Sequence, residues 1–230
     1  MSEVRERMKE TGEARSRWNR REFLALGTGA LLVATLPRAF GGRRRPLVRR
    51  TVPAMGSFAE IAVPAEDGQW ARAAIDAALD EIRKVEARLT RFRADSDVGR
   101  ANRAAPGAAV PVDPVTADAL EAALAWARRS EGRFDPCLAR AVALWDVNGR
   151  SSPPSAVETR RFADRALWRA LEIDRSAGRS EIRLHDPDAG IDLGGIGKGI
   201  GVDRAVAVLR RHGVEDALVN LGGDLYALGR

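Results

Sequence analysis

The stretch IDLGGIGKGIG, Ile191–Gly201, sets five glycines around one carboxylate, Asp192, and one ammonium, Lys198. Glycines let a backbone come close to a ligand, and the free N–H groups at the start of a following helix favour an anion. A phosphate is one reading of this turn; a glycine-rich packing turn is the other. Two known phosphate patterns do not fit. A P-loop requires glycine, four residues, then Gly-Lys-Ser/Thr, but Asp192 stands five positions before Gly197 and Gly199 follows Lys198. The dinucleotide pattern Gly-x-Gly-x-x-Gly meets Ile200 or Val202 where its third glycine belongs.

A carboxylate beside a pyrophosphate repels it unless a divalent cation or a ligand hydroxyl lies between, and magnesium is the usual bridge. Lys198 is one of only three lysines among 38 basic residues, so composition does not explain it. Its ammonium would offset phosphate charge in a transition state. Plainer readings stand beside these: Asp192 as a helix-start carboxylate satisfied by backbone N–H groups, Lys198 as a solvated turn residue. His212 precedes Gly213 and suits the negative end of a helix; His185 reads as a strand-end residue. Trp126, Trp145 and Trp168 read as core rather than as stacking surfaces. Asp97 and Asn102 read as ordering their own loop through side-chain to backbone bonds. Cys137 is the only cysteine, which excludes a disulfide or a cysteine metal site within the chain.

The elements that must position these residues follow from periodicity. Thr51–Ala65 alternates as a strand approached through Gly56, and Trp70–Arg91 carries Ile75, Leu79, Ile82, Val85 and Leu89 at helical spacing. RFRADSDVGRANRA follows as a polar loop. A second helix starts at Asp113 or Thr116 and ends at Gly132, and a short one lies around Ala156–Ala166. LEIDRSAGRSEIRLHDP reads as a hairpin with Gly178 in its turn. A strand then enters the glycine turn, a helix runs from about Gly199 to Arg211, and DALVNLGGDLYALGR is a final strand. Helices alternating with hairpins predict an α+β, or mixed α/β, single domain.

Residues 1–50 hold 13 basic against 5 acidic residues, leaving 25 against 27 for residues 51–230. The basicity belongs to a leader, so a nucleic-acid partner is not expected. Within it, Arg20-Arg21 precede Phe23-Leu24 and an apolar run to Leu36 that is too short for a bilayer span. Residues 1–42 therefore resemble a twin-arginine signal and leader, with export to the periplasm or envelope by that machinery; an uncleaved membrane anchor is the alternative. Residues 43–50 read as a basic linker, and residues 51–230 as the domain.

Four stretches in order, MGS at Met55–Ser57, LTRFRADSDVGRANRA at Leu89–Ala104, GRFDPCLARAVALWDV at Gly132–Val147, and IDLGGIGKGIGVDRA with ALVNLGGDLYALG, resemble the motifs of the FAD:protein FMN transferases, the ApbE family. The resemblance implies a magnesium-dependent enzyme that splits FAD and attaches FMN to a threonine or serine of a target flavoprotein. By motif position Met55, Phe92 and the Arg133-Phe134-Asp135 segment resemble FAD-binding residues. Asp192 and Lys198 resemble FAD-contacting residues with catalytic roles. Gly195 resembles a metal ligand, through its carbonyl. A pyrophosphatase releasing FMN and AMP, and a flavin binder without chemistry, are the alternatives. The family pattern continues past Gly222-Gly223-Asp224 into segments that supply its main metal ligands, so the chain reads as an incomplete member whose Asp192 faces the pyrophosphate uncompensated.

Overall fold

The computed structural model describes residues 45–147, 149–176 and 178–229, so the leader and the first part of the linker lie outside the described residues. Strands β1 (Leu47–Ala54) and β2 (Ser57–Pro64) form an antiparallel hairpin in register from Leu47↔Pro64 to Ala54↔Ser57. Its two-residue loop is Met55-Gly56, with φ of 50° and 69°. A loop with both residues left-handed matches the twist of the flanking strands. Glycine adopts that conformation freely; methionine does not, so Met55 is held there by something outside the hairpin. The one strand expected here is two, and Leu47–Arg50, read as linker, begin β1.

The chain continues through α1 (Gly68–Leu89), α2 (Asp97–Arg103), β3 (Val110–Pro111), α3 (Pro114–Arg129), α4 (Ala139–Trp145), α5 (Ala156–Arg160), β4 (Leu171–Asp174), β5 (Glu181–Leu184), α6 (Gly197–Arg211), β6 (Ala217–Leu221) and β7 (Asp224–Leu228). One sheet has the order β1-β2-β6-β7 and the other β3-β5-β4. Against the first sheet pack α1 and α6, with Ile61, Ile75, Leu79, Ile82 and Leu209 essentially inaccessible. Each such side chain contributes about 2 kcal/mol by leaving water. Ala71, Ala74, Ala78 and Ala205 fill the same core. The ion pair Arg204 Nε–Glu81 Oε1, at 2.8 Å, ties α6 to α1. The far end of α1, through Val85 and Leu89, enters a second core with α2, α3 and the β3-β5-β4 sheet.

From Arg44 onward the chain is one compact unit, and its mixture of helices and antiparallel sheets is the fold class expected. Helices α1 and α3, the β4–β5 hairpin and α6 lie where periodicity put them. Three readings change. The polar loop contains α2, which starts at Ser96, whose hydroxyl accepts the Gly99 N–H at 2.8 Å. The final strand is a hairpin, β6–β7, turning at Gly222-Gly223. The strand expected before the glycine turn is only an isolated parallel bridge, Leu138↔Gly190. Among the described residues no helix is long and apolar enough to cross a membrane.

Candidate active site

Asp192 is placed by its backbone before its side chain acts. The segments 136–139 and 190–192 run side by side: Ala139 N–H donates to Gly190 C=O (2.7 Å), Gly190 N–H to Cys137 C=O (3.0 Å) and Asp192 N–H to Pro136 C=O (2.8 Å). Asn102 closes the other edge like a neighbouring strand. Its Oδ1 accepts the Ile191 N–H at 2.7 Å and its Nδ2 donates to the Ile191 C=O at 2.9 Å. Asn102 thus orders a distant segment rather than its own loop. Asp97 likewise reaches beyond its own loop: it accepts the Asp113 N–H (2.9 Å) and the Thr116 hydroxyl (2.6 Å), tying α2 to the start of α3.

Both oxygens of the Asp192 carboxylate have a partner. Its Oδ1 accepts the Gly194 N–H at 2.9 Å, and its Oδ2 lies 3.0 Å from Arg91 Nε. The expectation of an uncompensated charge is therefore corrected, because an arginine that sequence reasoning passed over neutralises it. The Arg91 guanidinium also lies over the Phe92 ring, 4.3 Å from its centroid, and Phe92 is 79% exposed. This loop is folded against α2: the Ser96 hydroxyl donates to the Thr90 carbonyl at 2.5 Å and stands 3.1 Å from that of Arg93.

Met55 completes this corner. Glu86 of α1 accepts its N–H at 2.9 Å, which supplies the external hold that a left-handed methionine needs. Met55, Glu86, Arg91, Phe92, Asp192 and Lys198 are among the residues lining a cavity of about 210 Å³. No side chain caps α6, so the N–H groups of Lys198 and Gly199 lack an acceptor among the described residues. An uncapped helix start of this kind suits an anion. Lys198 Nζ lies 3.5 Å from Asp224 Oδ2, with its side chain one-third exposed.

A larger recess of about 560 Å³ uses other residues of the same turn, Gly195, Ile196, Gly199 and Ile200, with Phe134, Trp126, Asp203 and Asp224. A Cβ on Gly195 would come within 2.9 Å of Phe134 Cε2, so the glycine is needed to seat the ring. The three side chains of the Arg133-Phe134-Asp135 segment lie in different surroundings. Phe134 lines the recess; Arg133 is exposed; Asp135 is a brace, accepting the Cys137 N–H (2.8 Å) and the Trp168 N–H (3.1 Å). Burial pushes the Asp135 carboxyl above the usual range, and those N–H bonds partly counter it. Trp126 and Trp145, read as core, are about half exposed, and Trp168 is partly buried against the second core. His212 ends α6, and His185 at the end of β5 pairs with Glu172 at 2.6 Å. Cys137 is buried, which pushes its thiol far up. Among the described residues no three His, Cys, Asp or Glu side chains are grouped to hold a metal.

The model of the ApbE family matches residues 55–230. A FAD:protein FMN transferase of Treponema pallidum (strain Nichols) is 33% identical over 165 residues, which is 68% of this chain and 46% of that protein. One from Rhodobacter capsulatus is 30% identical over 214 residues, covering 89% of this chain and 40% of the relative. The chain thus spans under half the length of either. The crystal structure of the ApbE protein of Thermotoga maritima superposes with a TM-score of 0.70 at 26% identity, over 80% of this chain and 59% of that one. The apo flavinyl transferase ApbE of Pseudomonas stutzeri has the same fold, with a TM-score of 0.70 at 24% identity over 83% and 64% of the two chains.

Proposed function

The chain belongs to the ApbE family, and on that premise we propose that it acts as a FAD:protein FMN transferase. The observation that carries this reading is the juxtaposition of an uncapped, glycine-rich helix start bearing Lys198 with the apolar Met55 and aromatic Phe92 around one cavity. The first suits a pyrophosphate, the second a flavin ring. A cavity of 210 Å³ falls below the roughly 300–1,000 Å³ of ordinary ligand sites. In this reading a dinucleotide extends from it towards the 560 Å³ recess lined by other residues of the same turn.

In the proposed reaction a threonine or serine hydroxyl of the acceptor flavoprotein attacks the FMN phosphorus of FAD. The new P–O bond forms as the bond to AMP breaks; AMP leaves and the hydroxyl proton passes to solvent. In this reading Lys198 offsets the charge that builds on the leaving phosphate, with its ammonium 3.5 Å from Asp224 Oδ2. Asp192 orients Arg91 rather than meeting the pyrophosphate bare. Magnesium, which the family resemblance implies, would neutralise phosphate charge when bound. The Gly195 carbonyl is the ligand proposed for it, but the described residues offer no clustered side chains beside it, so no step here passes through the metal.

The direct test is incubation of the chain with FAD and a threonine-bearing acceptor, followed by in-gel fluorescence after denaturation. Covalent flavin on the acceptor supports the reading, and Asp192→Asn should then cut its formation at least about tenfold. Release of free FMN with no labelled acceptor would convert the reading to a hydrolase. Export by the twin-arginine route is part of the same proposal, resting on Arg20-Arg21 and the short apolar run. Replacing both by lysine should hold a reporter fusion in the cytoplasm; a fusion that still reaches the envelope refutes that route.

A further inference from the structure

We infer that Arg91 is the positioning residue that lets this site accept a pyrophosphate, by cancelling the charge of Asp192 and presenting its guanidinium from the face of Phe92. The inference rests on the flavin-transfer reading and deepens it. Asp192 lies in the glycine turn at the entrance to α6, where its carboxylate alone would repel phosphate. Arg91 Nε sits 3.0 Å from Oδ2, and both side chains are about three-quarters buried. At that burial the pair is only weakly screened by salt. The other carboxylate oxygen accepts the Gly194 N–H at 2.9 Å, so the carboxylate that faces Arg91 is itself tied to the turn.

The guanidinium plane is the second part. Its carbon lies 4.3 Å from the Phe92 centroid, and among the described residues its two terminal nitrogens carry no hydrogen bond. A planar cation with its terminal N–H groups free, lining the same cavity as Lys198, makes a fork for phosphate oxygens. Stacking on Phe92 keeps that fork in place without consuming its donors. Arg91 also occupies one face of the ring on which a flavin could stack. The flavin must therefore use the exposed face of Phe92 or displace the guanidinium towards the phosphates. Either way the ligand is read through its phosphates as well as its ring.

The experiment titrates the full chain with FAD and, separately, with riboflavin, which has the ring and no phosphate. Arg91→Gln should weaken FAD at least about tenfold and riboflavin less than about twofold, and Arg91→Lys should retain part of the affinity. Adding Asp192→Asn to Arg91→Gln should recover part of the FAD loss, because the repelling charge goes with its partner while the fork for the phosphate oxygens does not return. Unchanged FAD affinity in Arg91→Gln, an equal loss for both ligands, or no recovery in the double variant overturns the inference while leaving the flavin reading intact. A folded wild-type chain that binds neither ligand overturns both.

Discussion

Replacing Gly99 by alanine is expected to lower the melting temperature by about 10 °C and to weaken FAD binding at least tenfold, although residue 99 does not line the cavity. In most helices the change would help: alanine is favoured over glycine by about 1 kcal/mol. At this position a Cβ would lie 1.7 Å from the Arg93 carbonyl oxygen, 2.9 Å from its carbon and 2.8 Å from Ser96 Oγ. The first two are backbone atoms and cannot rotate away, so the loop after α1 has to move by more than an ångström. Displacing it breaks the Ser96 bonds to Thr90 and Gly99, and steric disruption of this kind costs roughly 3–5 kcal/mol. That outweighs the propensity gain, and for a domain of this size each kcal/mol is about 2–4 °C. The same loop carries Arg91 and Phe92, which is why binding should fall with stability. Gly178→Ala is the control. It sits at a φ of 74° with nothing within 4 Å of its added Cβ, and should cost only about 1 kcal/mol without touching FAD affinity. Thermal melts and flavin titrations of both variants settle the matter; a Gly99→Ala protein as stable as wild type would mean the loop does not press on α2.

The sequence carried the long elements openly and the short ones hardly at all. Helix α1 is legible because Ile75, Leu79, Ile82, Val85 and Leu89 repeat at helical spacing and face both cores. Helix α2 is not: Asp97–Arg103 is polar and glycine-containing, and it forms because Ser96 caps it and Val98 and Ala101 are buried by elements far along the chain. The β6–β7 turn is written as Gly222-Gly223, a strong local signal, but it lies inside a longer apolar run that reads as one strand. The glycine turn was legible as a place of close approach, and its glycines do not all serve the same packing purpose. Gly195 seats the Phe134 ring and Gly201 sits against Leu221 and Met55, whereas Gly199 meets nothing and opens the start of α6. Arg91 was invisible for a simple reason. An arginine following a helix is normally a solvated charge, and no local pattern records that Asp192 will be folded against it. The same is true of Glu86, whose role is fixed by the Met55 N–H across the hairpin.

Asn102 should be the most sensitive side chain behind the site, and two substitutions separate its two bonds. Asn102→Leu removes both partners of Ile191 at once, leaving a partly buried N–H and C=O unpaired. Each unsatisfied group costs about 1–3 kcal/mol, so a loss of roughly 2–5 kcal/mol is expected, or about 5–15 °C in melting temperature. Because Ile191 precedes Asp192, FAD affinity should drop as well. Asn102→Asp keeps the acceptor for the Ile191 N–H at 2.7 Å but sets a carboxylate oxygen against the Ile191 carbonyl, where a donor stood at 2.9 Å. That contact favours the protonated acid, so the folded-state pKa of the introduced aspartate lies above its unfolded value. A group raised in this way binds more protons folded than unfolded. Its share of stability is full below the unfolded pKa and is lost as pH rises through the folded one. The gap in melting temperature between Asn102→Asp and wild type should therefore be small near pH 4 and widen to a plateau above neutral pH, whereas the Asn102→Leu gap should stay flat. Parallel pH profiles for the two variants would show that the carboxamide is not bonding both sides of Ile191, and that Asp192 is held in place by the 136–139 segment alone.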